Sequence, residues 1–379
     1  MARLVGLSPA RILVVNAGSS SLKLRVLDGS DAVVSGADLP PPRGPEDRPA
    51  VADAVAGLGG VDAVGHRIVH GGTAFLGPVR LDARVIARIT SLTSLAPLHQ
   101  PKALTALDAV TAALPDVPAV ASFDTAFHAQ MPEAAATYAI PAPWRQRWDL
   151  RRYGFHGLSH AYATRRTGEL LGVPVTDLRL VTCHLGAGAS LAAVLGGRSV
   201  DTTMGFTPLE GLVMATRSGS VDPGLVLWLA DHVGMPPAEL AATLEHRSGL
   251  LGLAGTADMR EILAGADAGE ARARLALEVY LHRLRREIAA MTASLGGLDA
   301  IVFTGGVGER SAPIRAMAAD GLAYLGIRID ATRNTADATN DREIGEPDAP
   351  VRALVIESRE DVQIAADVRI VLQEANPAA

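Results

Sequence analysis

The chain has little cysteine and no excess of positive charge. Its 379 residues contain one cysteine, Cys183, so no disulfide can form within the chain, which is typical of a protein from a reducing cytoplasm. Lys and Arg number 35 against 41 Asp and Glu, which gives a formal net charge of −6. This balance favours neither nucleic acid nor an anionic membrane as a partner, so local groups must hold any anionic ligand.

Long hydrophobic runs are also missing. No stretch approaches the roughly 18 uninterrupted apolar residues that span a bilayer, and the first residues, MARLVGLSPA, lack the apolar core of a signal peptide. With 48% hydrophobic and 20% charged residues, the composition excludes a disordered chain. We therefore expect a soluble cytoplasmic protein, and a typical domain size of about 150 residues predicts two domains.

Continuous apolar runs rich in β-branched residues predict strands that are buried on both faces. They occur at 11–16 (RILVVN), 178–183 (LRLVTC), 300–304 (AIVFT) and 351–356 (VRALVI). Residues 270–295 carry the apolar stripe of a long amphipathic helix. Strands that alternate with helices predict an α/β fold.

Two of the strand segments are similar to each other. RILVVNAGSSSLKLRVL and LRLVTCHLGAGASLAAVL both contain a strand, a polar residue, a loop of small residues and a second strand. Asn16 and His184 take equivalent positions, each two residues before a glycine. The similarity predicts a duplicated domain with a cleft between the copies, although small-residue turns between strands are common enough to leave coincidence open.

Four segments carry residues suited to phosphate or carboxylate chemistry. In NAGSSSLK, small residues let backbone amides approach an anion and Lys23 adds a positive charge, although an ordinary hairpin turn fits as well. Within GHRIVHGG, Arg67 could pair with a carboxylate or phosphate, or bond backbone carbonyls. Asp124 in SFDTAFH is either a metal-binding or acid–base group or a helix N-cap. His156 lies next to a glycine, which permits close approach of a substrate, or it is a packed core histidine.

Two further segments, and the absence of several motifs, narrow the chemistry. Residues 202–224 form a long irregular stretch with one internal arginine, Arg217, and IVFTGGVGER is a buried strand that enters a glycine-rich turn before a helix. Zinc-ligand spacings and the G-x-S-x-G nucleophile motif are missing from the sequence. Hard oxygen ligands, available from Asn16, Asp124 and Glu360, would suit Mg²⁺.

In this order, the motifs resemble the acetokinase family, which comprises acetate, propionate and butyrate kinases. NAGSSSLK and FDTAFH are the two signature stretches of the family, and GHRIVHGG, RYGFHGLSH, TPLEG and TRSG agree with it. The resemblance covers residues 12–366. It implies two duplicated ribonuclease-H-like domains of the actin and hexokinase type, with a cleft between them. The first domain would comprise 1–126 with 362–379, and the second, nucleotide-binding and dimer-forming, would comprise 127–361.

The resemblance also implies an activity and a set of site residues. The activity is reversible, Mg²⁺-dependent, in-line phosphoryl transfer from ATP to acetate, which gives ADP and acetyl phosphate; Mn²⁺ can substitute for Mg²⁺. Arg67, Asp124, His156 and Arg217 would be the catalytic residues. Arg67 would hold the acetate carboxylate, and the pocket for its methyl group would be formed by Val69, Leu98, Phe155 and Pro208. Asn16 and Glu360 would bind the metal. The nucleotide would be bound by Lys23 and three segments: His184, Leu185, Gly186, Ala187 and Gly188; Asp258, Met259 and Arg260; and Gly306, Val307, Gly308, Glu309 and Arg310.

Three nucleotide-segment positions depart from the pattern common in the family. Ala187 and Arg310 stand where asparagine is usual, and Gly305 stands where alanine is usual. These differences concern nucleotide preference more than the reaction. The resemblance further implies a homodimer, with acetate or acetyl phosphate and ATP or ADP as ligands. The open alternatives are a propionate or butyrate kinase and a non-catalytic ATP-binding switch of the same fold.

Overall fold

The structure is a computed structural model that describes residues 10–18, 21–42, 44–97, 100–336 and 340–374. The chain forms two units, Met1–Ala129 with Arg359–Ala379, and Gln130–Ser358. In the part of the chain that is described, no helix combines the length and apolar character needed to cross a membrane.

The first unit is built on a six-stranded mixed sheet. Its strands are β1 (Ile12–Ala17), β2 (Leu22–Leu27), β3 (Val33–Leu39), β4 (Ala63–Ile68), β5 (Val79–Arg80) and β6 (Ala119–Phe123). Their order across the sheet is β3-β2-β1-β4-β6-β5, with β1, β4 and β6 parallel. The helices of this unit are α1 (Arg48–Gly57), α2 (Ala83–Ser91), α3 (Gln100–Ala113) and a C-terminal helix (Glu360–Glu374).

The C-terminal helix packs directly on the middle of this sheet. A side-chain carbon at Gly65 in β4 would lie 2.4 Å from Ile364 Cγ2, so the glycine is what allows the helix to approach. The predicted strand 11–16 appears as β1, and Ile12, Leu13, Val14 and Val15 are at most 1% exposed. The close packing fixes the start of the C-terminal helix, and with it Glu360, beside β1.

The second unit has its own six-stranded mixed sheet. Its strands are β7 (Arg179–Leu185), β8 (Ala189–Leu195), β9 (Arg198–Thr202), β10 (Ala300–Thr304), β11 (Arg342–Glu343) and β12 (Arg352–Val355). The helices are α4 (Glu133–Ala136), α5 (Ala142–Trp148), α6 (Gly157–Leu171), α7 (Pro223–Asp231), α8 (Pro237–His246), α9 (Gly249–Ala254), α10 (Met259–Asp267), α11 (Ala271–Leu295), α12 (Gly305–Arg310), α13 (Ala312–Asp320) and α14 (Ala331–Thr335).

The two sheets have the same strand order. The second reads β9-β8-β7-β10-β12-β11, which is the order of the first with six added to each number. In both sheets three antiparallel strands are followed by two parallel ones and a short antiparallel edge strand. Asn16 pairs in register with Lys23, and His184 with Ser190, in the equivalent hairpins. The predicted α/β fold with a duplicated ribonuclease-H-like domain is confirmed.

Candidate active site

In the first unit, Arg67 and Asp124 form a bidentate ion pair. Arg67 lies near the end of β4 and Asp124 directly follows β6, and these strands are parallel neighbours whose carboxyl ends share one edge of the sheet. Arg67 Nε donates to Asp124 Oδ1 at 2.9 Å, and Arg67 Nη2 donates to Asp124 Oδ2 at 2.6 Å. The short helix at 126–128 has Thr125 as its N-cap, so the alternative interpretation of Asp124 as a helix N-cap is wrong. The carboxylate of Asp124 binds the Arg67 guanidinium instead.

Asn16 and Glu360 extend this ion pair into a cluster of four polar side chains. Arg67 Nη1 donates to Asn16 Oδ1 at 3.0 Å, and Asn16 Nδ2 donates to Glu360 Oε2 at 2.9 Å. The same Arg67 Nη1 lies 3.6 Å from Glu360 Oε2. The structure thus brings together the two residues predicted to bind a metal and two of the predicted catalytic residues.

Burial and charge act against each other in this cluster. Burial alone lowers the pKa of Arg67, but the carboxylates of Asp124 and Glu360 outweigh it and raise that pKa above its ordinary value. Burial raises the pKa of Asp124, against the influence of the guanidinium that it contacts. The side chains of Arg67 and Asp124 are 15% and 2% exposed. Arg67 is therefore a permanently charged group whose guanidinium plane is fixed by its partners.

Other residues predicted for this unit lie around the cluster. Val69 follows β4 and is 6% exposed, which suits an apolar pocket wall. Lys23 is exposed on β2, in register with Asn16. Leu98 lies outside the described residues.

His66 and His70, which flank this region in β4 and just after it, are buried. Burial lowers the pKa of each to about 4, so both are neutral at physiological pH.

In the second unit, His156 and Arg217 meet at Gly188. A side-chain carbon built on Gly188 would lie 3.1 Å from His156 Nε2 and 3.4 Å from Arg217 Nη1. The glycine therefore leaves open the space that both cationic or potentially cationic groups face. His156 adopts a left-handed conformation (φ 57°) at the start of α6, and its ring stacks on His184 with centroids 4.3 Å apart.

Arg217 is held from two sides. Its Nε lies 3.0 Å from Glu245 Oε1, and its Nη1 donates to the carbonyl oxygen of Pro208 at 3.0 Å. Burial lowers the pKa of Arg217, and the Glu245 carboxylate opposes that shift. Pro208, predicted as a wall of the methyl pocket, thus contacts Arg217 through its backbone, while Phe155 is 1% exposed in the core of this unit.

The three predicted nucleotide segments border one cavity of about 840 Å³ in the second unit. This volume is within the usual range for a bound small molecule. The predicted residues that line it are Gly186, Ala187, Asp258, Met259, Arg260, Gly306, Val307 and Arg310. The other lining residues were not predicted from the sequence; they are Ala215, Leu250, Ala257, Leu263, Tyr280, Ser311 and Pro313. Ala215 belongs to the irregular stretch 202–224, and the other missed residues lie in or beside helices whose apolar patterns indicate only packing.

Five residues of these segments do not line the cavity and have supporting positions. Leu185 is fully buried, and His184 and Gly188 lie beside His156. Glu309 Oε1 accepts hydrogen bonds from the backbone N–H groups of Gly305 and Ser358, both at 2.9 Å, and Gly308 offers its carbonyl to Arg315.

Arg315 is a supporting residue that the sequence analysis missed. It is 1% exposed, and its Nη1 donates to the carbonyl oxygens of Gly308 and Glu309, both at 2.8 Å. A cation at the carboxyl end of a helix interacts favourably with the exposed carbonyls there. Arg315 therefore holds the end of α12, whose beginning borders the cavity. The one sequence signal for this role of Arg315 was the presence of an arginine within an apolar helical pattern.

Comparison with known proteins identifies the family. The model of the acetokinase family matches residues 52–366. An acetate kinase from Synechococcus is 51% identical over 83% of this chain and 77% of its own length. The solved structure of Porphyromonas gingivalis acetate kinase is 35% identical, with a TM-score of 0.89 over 96% of this chain and all of its own. A propionate kinase structure from Francisella tularensis is 34% identical, with a TM-score of 0.87 over 94% of this chain and 98% of its own. The family predicted from the motifs is confirmed, and the chain belongs to the acetokinase family.

Proposed function

We propose that the protein is an acetate kinase, which transfers the terminal phosphoryl group of ATP reversibly and in line to acetate and gives ADP and acetyl phosphate. The observation that carries this proposal is the loop 186–188. Gly186 and Ala187 line the cavity bordered by the predicted nucleotide segments, and Gly188 adjoins His156 and Arg217. A nucleotide in that cavity would have its phosphates directed along this loop towards two donors suited to a phosphoryl group.

The acceptor needs no activation by a base. A carboxylate is already ionised at neutral pH, so catalysis depends on alignment and on neutralising charge at the transferring phosphoryl oxygens. We assign Arg67 to the acetate carboxylate: a guanidinium has five N–H donors, and the hydrogen bonds to Asp124 and Asn16 use three of them. Arg217 would neutralise charge on the phosphoryl oxygens, and His156 would donate a hydrogen bond to them.

Asp124 acts through Arg67 in this mechanism. Both of its carboxylate oxygens accept hydrogen bonds from the guanidinium, and acetate has no proton to be removed. We therefore assign Asp124 a positioning role. We also assign the first unit to the acceptor and the second to the nucleotide, with Lys23 as an additional positive charge for the phosphates.

The residues present fit a divalent metal that is bound mainly through the nucleotide. Asn16 and Glu360 offer amide and carboxylate oxygens and are in hydrogen-bond contact, which suits Mg²⁺ and equally Mn²⁺. Among the described residues, no group of three or more His, Cys, Asp or Glu could hold a metal by itself. Mg²⁺ is commonly coordinated by one or two protein carboxylates together with substrate phosphates and water molecules. When bound, the ion would neutralise charge on the nucleotide phosphates.

The identity of the acyl acceptor is the part of the proposal that needs a direct test. One methylene in an apolar pocket changes the free energy by only about 1–3 kcal/mol, and a propionate kinase is structurally similar to this chain. Purified protein should be incubated with ATP, Mg²⁺ and acetate, propionate or butyrate, and acyl phosphate measured as its hydroxamate. The largest kcat/KM with acetate supports the proposal. Larger values with a longer acid indicate the corresponding kinase, and no acyl phosphate with any acid indicates an ATP-binding switch.

An exposed apolar helix supports a homodimer formed through the second unit. All nine residues of α7 are partly or fully exposed, and Leu225, Leu227 and Trp228 are 47%, 65% and 50% exposed. Apolar patches of this kind commonly mark a protein–protein interface. Light scattering should give twice the mass of one chain for the wild type, and Leu227→Asp should shift the mass towards that of one chain.

We further propose a cytoplasmic location, consistent with the single buried cysteine, Cys183.

A further inference from the structure

A buried chain of hydrogen bonds lies behind His156. Ser190 Oγ lies 2.9 Å from His156 Nδ1 and 2.8 Å from His160 Nε2. On the far side of the second ring, His160 Nδ1 lies 2.7 Å from Thr182 Oγ1. Ser190, His160 and Thr182 are at most 1% exposed. The four side chains come from β7, β8 and the beginning of α6, so three adjoining elements hold the chain in place.

The proton of Ser190 links the tautomers of the two imidazole rings. A serine hydroxyl carries one proton and can donate it to one ring nitrogen at a time. If Ser190 donates to His156 Nδ1, then His160 Nε2 must carry a proton and donate it to Ser190. If Ser190 donates to His160 Nε2 instead, His156 Nδ1 must carry the proton. The hydrogen-bond chain can therefore run in two directions, and each direction places the proton of a neutral His156 on a different ring nitrogen.

Thr182 selects between the two directions. Its hydroxyl is fully buried, and within the described ranges of the chain its one hydrogen bond is the contact with His160 Nδ1. If His160 Nδ1 carried a proton, the hydroxyl proton of Thr182 would be buried without an acceptor, which is unfavourable. Thr182 therefore donates to His160, His160 donates to Ser190, and Ser190 donates to His156 Nδ1. A neutral His156 consequently carries its proton on Nε2, the nitrogen beside Gly188 and Arg217.

We propose that Thr182, His160 and Ser190 are positioning residues that set the tautomer of His156, so that an N–H donor faces the transferring phosphoryl group. The kinetic part of this inference rests on the role proposed above for His156, whereas the tautomer does not depend on that role.

Thr182→Val in the full-length protein tests the hydrogen-bond chain at Thr182, the end farthest from His156. Long-range proton–nitrogen NMR of the histidine rings reports which nitrogen is protonated, and the His156 signals are identified by their loss in His156→Gln. We expect the wild type to have Nδ1 of His156 unprotonated and Nε2 protonated. In Thr182→Val we expect a mixture of both tautomers and a fall in kcat of about tenfold, with the KM values for ATP and acetate changed less than about twofold.

Two variants serve as controls for Thr182→Val. Thr182→Ser restores the donor and should return both the tautomer and kcat to wild-type behaviour. Thr167→Val removes another fully buried hydroxyl, one that donates to the Ala163 carbonyl within α6, and should change neither. If Thr182→Val does not fold, Ser190→Ala breaks the same chain next to His156 and should likewise mix the tautomers.

Three results would overturn the proposal: a proton on Nδ1 of neutral His156 in the wild type, an unchanged tautomer in folded Thr182→Val, or no restoration by Thr182→Ser. If the tautomer changes as expected while kcat stays the same, the hydrogen-bond chain is supported, and the role of His156 in phosphoryl transfer is refuted. The two readouts thus separate failure of this inference from failure of the proposed function.

Discussion

Replacing Arg217 with alanine should nearly abolish turnover. Arg217 Nη1 and His156 Nε2 face the same space beside Gly188, where the proposed function places the transferring phosphoryl group. Loss of one preorganised charged donor typically lowers kcat by about 10²–10⁴-fold, or about 3–5 kcal/mol of transition-state stabilisation. Because Arg217 Nη1 is fixed by the Pro208 carbonyl, a water molecule or a neighbouring side chain cannot easily replace it. The measurement is kcat for acetyl phosphate formation at saturating ATP and acetate.

The same substitution should also reduce stability, so the assay needs a structural control. Glu245 is 14% exposed and loses its partner in Arg217→Ala, which should lower the free energy of unfolding by about 1–3 kcal/mol. Glu245→Gln is the matched control because it removes the ion pair and leaves Arg217 bonded to Pro208; its kcat should fall less than about tenfold. A folded Arg217→Ala protein with wild-type kcat would refute the assignment. Equal losses in both variants would mean that the ion pair, not contact with the phosphoryl group, is what matters.

Three further substitutions test separate parts of the structure. Val69→Ala should enlarge the methyl pocket and shift the ratio of kcat/KM values for propionate and acetate towards propionate by about tenfold; an unchanged ratio removes Val69 from the pocket. Although alanine is usual at position 305 in the family, Gly305→Ala should lower Tm and raise KM for ATP in this chain, because Gly305 has φ of +76° and an added carbon would lie 2.9 Å from the Leu185 carbonyl oxygen. In the control Gly306→Ala the added carbon meets no described atom within 4 Å, so its Tm should fall less. Burial raises the pKa of Asp367 to about 6, so the folded state binds this proton more tightly than the unfolded chain and stability is lost as pH rises from about 4 through 6. Asp367→Asn should therefore be more stable than wild type by about 2–3 kcal/mol at pH 7 and by almost nothing near pH 4, as measured by urea unfolding; a difference independent of pH would contradict this.

The fold could be predicted from the sequence because its central strands are strongly apolar and its two halves are similar. The runs 11–16, 178–183, 300–304 and 351–356 correspond to β1, β7, β10 and β12, none of which is an edge strand of its sheet. The order of strands within each sheet depends on long-range pairing. Periodicity along the chain carries no information about that pairing, and the family resemblance implied only the type of fold.

The residues of the site could be predicted, but their pairing could not. Arg67 and Asp124 were predicted as separate catalytic residues, whereas the structure makes them a bidentate pair. That pair depends on the register of β4 against β6, in which Arg67 lies opposite Ser122. The supporting residue Arg315 escaped notice for a similar reason. Its partners are the carbonyl oxygens at the end of α12 and Asn334, and no pattern in the sequence links Arg315 to either of them.

Both units hold an arginine in the same way, which fits the chemistry proposed for the site. Arg67 is fixed by the Asp124 carboxylate and the neutral oxygen of Asn16, and Arg217 by the Glu245 carboxylate and the carbonyl of Pro208. A guanidinium held between a carboxylate and a neutral oxygen keeps its charge and orientation before any substrate binds, so little reorganisation is needed during the reaction. A reaction that required proton abstraction would need a base free to accept a proton. Both oxygens of Asp124 are instead committed to Arg67, as expected for an acceptor that is already ionised.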